Sequence, residues 1–101
     1  MGSLEQQFHQ AMAVIYETAK AECQYNATYF LQMLAEYGGV ETAKRLLSTE
    51  KPSEGFTKLW ECERLDLTVE AHVINDEFSS LFTTEECNIA RARLLEYGHT
   101  L

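Results

Sequence analysis

The densest group of side chains able to move protons lies in one short stretch, which holds Arg64, Asp66, Glu70 and His72. A small enzyme would use Asp66 or Glu70 as its general base, with His72 close by. If the segment is helical, however, the two carboxylates are four residues apart on one face, where such groups often cap the helix or meet solvent. The cluster is a candidate site, and a structural role is its alternative.

The three cysteines, Cys23, Cys62 and Cys87, are the other potentially reactive groups. None belongs to a Cys-x-x-Cys motif, and none stands at metal-ligand spacing from a histidine. We therefore predict three free thiols, reduced in the cytoplasm, that behave as small apolar side chains. The same reasoning predicts no catalytic nucleophile, no bound metal and no cofactor.

Aromatic side chains are concentrated in the first 37 residues, where the tyrosines are Tyr16, Tyr25, Tyr29 and Tyr37. With the neighbouring Phe and Met side chains they provide more aromatic and sulfur surface than a chain of this size can bury. Exposed aromatic side chains are enriched at protein interfaces. The pattern predicts a non-enzymatic interaction module, adaptor or regulatory, that binds a larger protein or a second copy of itself as a homodimer.

The chain is acidic, with 16 Asp and Glu against 8 Lys and Arg and a net charge of −8. The excess of acidic side chains is largest in the C-terminal third, residues 65–101. A negative field repels nucleic-acid phosphates and anionic lipids, so we expect no direct nucleic-acid binding and no membrane binding. The charge suits a basic protein partner. It also leaves open a third interpretation, an acidic inhibitor that mimics nucleic acid.

Helical periodicity is clear in the first part of the chain. Apolar residues recur every three or four positions over residues 4–23, after a capping box formed by Ser3 and Gln6. Asn26 is the expected N-cap of a second helix. Because that helix has too many apolar residues for one narrow stripe, we expect it to be buried on more than one side.

Glycine and proline mark the next boundaries. Gly38 and Gly39 predict a tight corner between the second helix and a short third one, since glycine readily adopts the left-handed conformation that ends a helix. Pro52 disfavours a helical residue before it and so predicts a loop. Ser53 can then cap a fourth short helix.

Residues 55–74 contain the only tryptophan, Trp60, and a dense run of Leu, Val and Ile. Because so large a side chain dominates burial, we predict that Trp60 is the centre of the core, with roughly 3–5 kcal/mol lost in Trp60→Ala. Apolar residues alternate over residues 65–74 as in a strand, but they also fit a helix. No second strand exists to pair with this segment, so we predict a helix capped by Asp66 or Thr68.

Thr83 and Glu86 form a second capping box, which opens a final helix that ends near Gly98. The chain thus predicts one domain, residues 1–101, with an all-α fold: a compact bundle of about six short helices. No apolar run approaches the roughly 20 residues of a membrane span, and the N-terminus shows no basic region followed by an apolar one. A cytoplasmic location is expected.

Several motifs are distributed over most of the chain. They are Tyr25-Asn26-Ala27-Thr28 with Phe30-Leu31 and Met33, Gly38-Gly39 with Ala43 and Leu46-Leu47, Gly55-Phe56-Thr57 with Leu59-Trp60-Glu61, Arg64-Leu65-Asp66-Leu67-Thr68-Val69-Glu70, and Leu81-Phe82-Thr83 with Glu85-Glu86. This set resembles a widespread family of small uncharacterised bacterial proteins. The resemblance implies a bacterial source and a stand-alone small domain, and it implies no particular activity, cofactor or partner.

Two departures from the family pattern bear on local structure and chemistry. The family tends to have glycine where this chain has Glu63, which implies a left-handed and mildly strained backbone at that position. It also tends to have apolar residues where this chain has His72 and Cys87. The resemblance therefore makes those two side chains poor candidates for chemistry.

Overall fold

Six α-helices account for most of residues 3–99, which are the residues described by the structure, a computed structural model. In chain order they are Leu4–Glu22 (α1), Thr28–Tyr37 (α2), Gly39–Leu47 (α3), Glu54–Glu61 (α4), Val69–Val73 (α5) and Thr84–Glu96 (α6). Two 3-10 turns, Leu65–Leu67 and Ser79–Leu81, precede α5 and α6. No strand occurs within the described residues, and the predicted all-α bundle is confirmed.

The centre of the core is Phe8 of α1, whose side chain is 0% exposed. Its ring meets Phe78 and Phe82 edge to face, with ring centroids 5.2 and 5.1 Å away. Met12, one helical turn further along α1, is also fully buried. The early apolar stripe of α1 therefore packs against the segment that leads into α6 and organises the largest hydrophobic cluster.

The prediction that Trp60 is the centre of the core is wrong. Its side chain remains 44% exposed and packs edge-on against Tyr97, at 5.3 Å between ring centroids. Phe56 and Leu59 occupy the inward face of α4 and are buried. Trp60 lies at the margin of that face, so its large side chain is only partly buried.

The second helix also departs from its prediction. Ala27, not Asn26, is the N-cap residue, because the Asn26 side chain instead accepts a hydrogen bond of 2.9 Å from the Tyr16 hydroxyl. Only two residues of α2, Met33 and Leu34, are buried. The large hydrophobic residues of α2 that remain exposed are Tyr29, Leu31 and Tyr37. The prediction that α2 is buried on more than one side is therefore wrong.

The corner between α2 and α3 needs both of its glycines, for different reasons. Gly38 has φ of +81°, in the left-handed region that side chains disfavour. Gly39 approaches α1 so closely that an added Cβ would lie 2.6 Å from the His9 Cα. The predicted tight corner is therefore present, and it places α3 directly against the backbone of α1.

Residues 65–74 are helical as predicted, but in two pieces. Thr68 separates the 3-10 turn from α5: its hydroxyl donates to the Leu65 carbonyl at 2.8 Å and accepts from the Ala71 backbone N–H at 3.1 Å. Thr68 is thus the cap, and Asp66 is not. Glu63, just upstream, has φ of +61°, as the family resemblance implied.

Both predicted capping boxes are present, at Ser3 with Gln6 and at Thr83 with Glu86. The cap at Ser53 is confirmed as well, since its hydroxyl accepts from the Phe56 backbone N–H at 3.2 Å. Side chains that pair with orphan amide groups of a first helical turn are local signals. Helix starts were accordingly the best-predicted boundaries of the chain.

The prediction of three free thiols is wrong for Cys23 and Cys62, which form a disulfide with 5.9 Å between their Cα atoms. Cys23 caps the C-terminus of α1 and Cys62 that of α4, so the two helix ends converge. The bond closes a loop of 39 residues, for which the chain-entropy argument gives a stabilisation of about 4 kcal/mol. Cys87 is free.

The position of the core centre predicts opposite outcomes for two aromatic truncations. Phe8→Ala should lower the free energy of unfolding by roughly 3–5 kcal/mol, because it empties a fully enclosed site. Trp60→Ala should cost less than half as much, since much of that side chain is already in water. Urea unfolding of both variants measures the difference, and equal losses would contradict this account of the core.

Candidate functional site

A cleft of about 180 Å³ lies between α1, α2, α4 and the start of α5. Most of its wall is apolar and consists of Ile15, Ala19, Ala27, Phe30, Met33, Leu46, Phe56, Leu59 and Val69. Its polar groups are three tyrosines, Ser53, Thr68 and the carboxylates of Glu54 and Glu70. None of the described residues that line it is Lys, Arg or His. The cleft therefore combines an apolar interior with negatively charged groups and no cation.

Tyrosines form one side of the cleft. Tyr16 comes from α1, Tyr25 from the connection that follows it, and Tyr29 from the first turn of α2. Tyr29 is 73% exposed, and Tyr16 is held by its hydrogen bond to the side chain of Asn26. Three of the four tyrosines predicted to form an interaction surface are thus brought together around one cleft.

Tyr25 lies close to Glu54, which also lines the cleft. Burial raises the pKa of its hydroxyl, and the nearby negative charge of Glu54 raises it further. The phenol therefore stays neutral at physiological pH. Its O–H remains available as a hydrogen-bond donor within the cleft.

The fourth predicted interaction residue, Tyr37, lies elsewhere. It ends α2 and is not among the described residues that line the cleft. The guanidinium of Arg45 sits 4.0 Å from its ring centroid in a cation–π contact. Tyr37 is partly exposed, but it belongs to the corner between α2 and α3 and not to the tyrosine side of the cleft.

Glu70 contributes a buried carboxylate to the cleft, and Arg93 of α6 neutralises it. The Arg93 Nη1 donates to Glu70 Oε2 at 3.1 Å, and both side chains are almost completely buried. The same guanidinium donates to the backbone carbonyls of Leu46 and Thr49, at 3.1 and 2.5 Å. Arg93 therefore connects α6 to α5 and to the end of α3.

Burial raises the pKa of the Glu70 carboxyl, while its own backbone N–H and the Arg93 guanidinium act in the opposite direction. The ion pair with Arg93 thus allows the Glu70 carboxylate to be charged although it is buried. Because the carboxylate is already engaged by a cation, its first role is structural.

The predicted cluster of Arg64, Asp66, Glu70 and His72 is not assembled as a unit. Arg64 pairs with Asp66 on the surface and also with Glu22 of α1. His72 Nδ1 lies 2.8 Å from the Thr68 carbonyl oxygen, while Glu70 is turned inward to Arg93. Arg64 and Asp66 are thus partners of each other, while His72 and Glu70 each have a partner outside the cluster, and the four residues do not place a general base beside the histidine.

Three residues that matter at the cleft were missed from the sequence: Arg93, Glu54 and Gly55. Arg93 carried a usable signal, because it lies three residues after Ala90 and one before Leu94, on the buried face of α6. Glu54 and Gly55 lie in the first turn of a short helix and carried no such signal. Their position at the cleft depends on how α4 docks.

Searches of protein-family models, curated proteins and solved structures found no match to this chain. The resemblance to small bacterial proteins therefore stays a prediction. Residues 3–99 contain no helix that is long and apolar enough to cross a membrane. Within the same range there is no group of three or more His, Cys, Asp or Glu side chains placed to hold a metal ion.

The buried ion pair predicts a pH-dependent defect in Arg93→Met. At neutral pH this variant leaves Glu70 charged and unpaired, and it should lose roughly 3–5 kcal/mol of unfolding free energy. The folded-state pKa of Glu70 would rise further above its ordinary 4.5. A raised carboxyl pKa contributes stability at low pH and loses it as pH increases through the folded value. The loss relative to wild type should therefore shrink as pH falls from 7 towards 4.5.

Urea unfolding at several pH values tests this, with the double variant Glu70→Gln/Arg93→Met as the control. The control lacks the titrating group, so its difference from wild type should not shrink in the same way as the pH is lowered. A constant loss in Arg93→Met across the pH range would contradict the account of an uncompensated buried charge.

Proposed function

We propose that this chain is a non-enzymatic protein-interaction module, in which the cleft receives one bulky apolar side chain of a partner protein. The single observation that carries this proposal is the convergence of Tyr16, Tyr25 and Tyr29 around an apolar cleft. The partner is a protein segment, and a second copy of this chain is one outcome that the experiment below distinguishes. The proposal places the module in a bacterial cell, following the sequence resemblance.

The size of the cleft favours a side chain over a large cofactor. Pockets for drug-sized ligands usually enclose several hundred Å³. An engineered apolar cavity of roughly 150 Å³ is enough to bind a benzene ring. At about 180 Å³, this cleft matches one ring or one branched aliphatic group.

The tyrosines suit the edge of such a contact. Tyr residues supply a large apolar area with few rotatable bonds and are enriched among the side chains that dominate binding energy. Tyr29 is the most exposed of the large hydrophobic residues in the described chain. It is free to close over an anchor that enters between Tyr25 and Phe30, which also line the cleft.

Charge supports a basic partner. The chain carries a net charge of −8, and the two charged residues that line the cleft are both carboxylates. Complementary fields accelerate association and select partners, while buried apolar contacts supply most of the affinity.

The predicted cytoplasmic location has lost part of its support. It was expected together with three reduced thiols, and two of the three cysteines are paired. Disulfides persist mainly in oxidising compartments and are often transient or regulatory in the cytosol. We retain the cytoplasm as the proposed location, with the bond subject to reduction there.

Site-specific photo-crosslinking in a bacterial host tests the proposed function. A benzophenone amino acid replaces Tyr29 at the cleft, and the same group replaces Leu95, an exposed residue of α6, as the matched control. We expect an adduct from position 29 alone, with the crosslink mapped by mass spectrometry to a partner segment that contains a bulky apolar residue.

Gly55→Leu is the variant designed to block the cleft, because Gly55 is one of its lining residues. A Cβ at this position meets only ordinary contacts, the nearest being 3.7 Å from Ser53 Oγ and 3.8 Å from Tyr25 Cε2. Leu is also a better helix former than Gly. The adduct should disappear in Gly55→Leu and persist in Gly55→Ala, which adds a methyl group only. Adducts that survive Gly55→Leu, or that form equally from position 95, would overturn the proposal.

A further inference from the structure

We propose that the partner's anchor is accompanied by a cationic group, and that Glu54 is the residue of the cleft that binds it. This inference rests on the proposed function and specifies the chemistry of the occupant. It makes Glu54 a specificity-determining residue. The ligand class is an ammonium or guanidinium group attached to an apolar ring or chain.

The two carboxylates of the cleft differ in availability. Glu70 is buried, and its charge is met by Arg93 at 3.1 Å. Glu54 is exposed and has no ion-pair partner within residues 3–99. A cation that arrives with the anchor therefore has one free carboxylate to meet.

The surroundings of Glu54 also favour a cation. Its charge is felt at Tyr25, where it helps to raise the pKa of the hydroxyl. The rings of Tyr25 and Tyr29 add faces with negative potential, to which ammonium and guanidinium groups are attracted. An anionic ligand would meet only like charge, because the described lining contains no basic side chain.

Three small probes with the same ring and similar length separate these effects: phenethylammonium, 2-phenylethanol and 3-phenylpropionate. Each is titrated into the full chain and followed by amide chemical shifts in NMR spectra. We expect saturable shifts at the cleft, with phenethylammonium binding about two- to fivefold more tightly than the alcohol. The carboxylate should bind most weakly.

Glu54→Gln should remove the difference in affinity between the ammonium and the alcohol. Glu50→Gln is the matched control, because Glu50 is also exposed and does not line the cleft. Equal binding of all three probes to the wild-type cleft would overturn the role of Glu54 and leave the proposed function standing. No saturable shift with any probe, or shifts insensitive to Gly55→Leu, would count against both.

The disulfide is a separate observation and carries a second inference, which also rests on the proposed function: we propose that the Cys23–Cys62 bond holds the two walls of the cleft together and that its reduction weakens binding. Cys23 ends α1, which contributes Ile15 and Ala19 to the cleft, and Cys62 ends α4, which contributes Phe56. Both cysteines are partly exposed, so a reductant can reach them.

The bond joins the ends of two helices, and the residue that follows each cysteine has a positive φ. Gln24 has φ of +54° and Glu63 has φ of +61°, a region that residues with a side chain rarely adopt. Gln24 directly precedes Tyr25 of the cleft. Both residues end a helix in the left-handed conformation, since the Tyr25 N–H donates to the Ala19 carbonyl and the Arg64 N–H donates to the Leu59 carbonyl. We expect these two helix ends to separate once the bond is broken, and Tyr25 to move with the end of α1. The ion pair between Glu22 and Arg64 also spans this junction.

The chemistry is thiol–disulfide exchange with a cellular thiol as reductant. A thiolate attacks one sulfur, the Cys23–Cys62 bond breaks, and a mixed disulfide forms. A second thiol resolves the mixed disulfide. The protein gains two S–H groups, and two reductant thiols become one disulfide, so two electrons and two protons are transferred to the protein.

The test compares phenethylammonium binding to the oxidised protein and to protein reduced with dithiothreitol, with NMR spectra to verify folding. We expect the reduced protein to bind about fivefold more weakly or worse. By linkage, saturating phenethylammonium should shift the thiol–disulfide equilibrium between the protein and dithiothreitol towards the Cys23–Cys62 disulfide by the same factor. A disulfide that only stabilises the fold would not show this shift.

Two variants complete the design. The double variant Cys23→Ser/Cys62→Ser should reproduce the weaker binding without reductant, while Cys87→Ser should bind as wild type in both conditions. Equal affinity in the oxidised and reduced states would overturn this proposal. So would complete unfolding on reduction, which would show that the bond only stabilises the fold.

Discussion

The salt bridge between Glu70 and Arg93 ties together three helices of the bundle, α3, α5 and α6. One guanidinium neutralises a buried carboxylate of α5 and also satisfies the carbonyls of Leu46 and Thr49 at the end of α3. Helix α5 has only five residues and is too short to be stable by itself. It is fixed by Thr68 at its start and by this ion pair on its inner side. The floor of the cleft is therefore set by polar contacts that are fully paired, and the apolar walls are built around them.

The elements that were predictable from the sequence are those whose signals are local. Ser3, Ser53 and Thr83 each cap a helix through a bond to a residue three positions away, and Gly38 supplies a positive φ that its neighbours require. Asn26 carries the same type of signal, but it does not cap α2, because its side chain accepts a hydrogen bond from the Tyr16 hydroxyl. Local propensity identifies what a residue is able to do, and tertiary contacts decide which of those options is used.

The candidate site was predictable only in its residue types. The sequence identified an aromatic excess and three of the tyrosines around the cleft, since surplus aromatic area in a small chain must remain near the surface. The cleft itself depends on pairings across long separations: Glu70 meets a residue 23 positions away, and Cys23 one 39 positions away. Neither distance follows from a spacing rule. The prediction that Trp60 is central to the core is wrong for a related reason, because the burial of Trp60 depends on how α4 is rotated against α6.

The contact of Gly39 with His9 has a consequence for how this fold can change. At their closest point α1 and α3 meet backbone to backbone, with no room for even a methyl group on the α3 side. Where two helices pack through their side chains, the volume of those side chains sets the distance between the helix axes. That distance then changes when the side chains are substituted. Here the two helices are already in contact through the main chain of His9, so no shorter distance is available to them. We expect substitutions in the surrounding core to rotate α3 about this contact and to leave its distance from α1 unchanged.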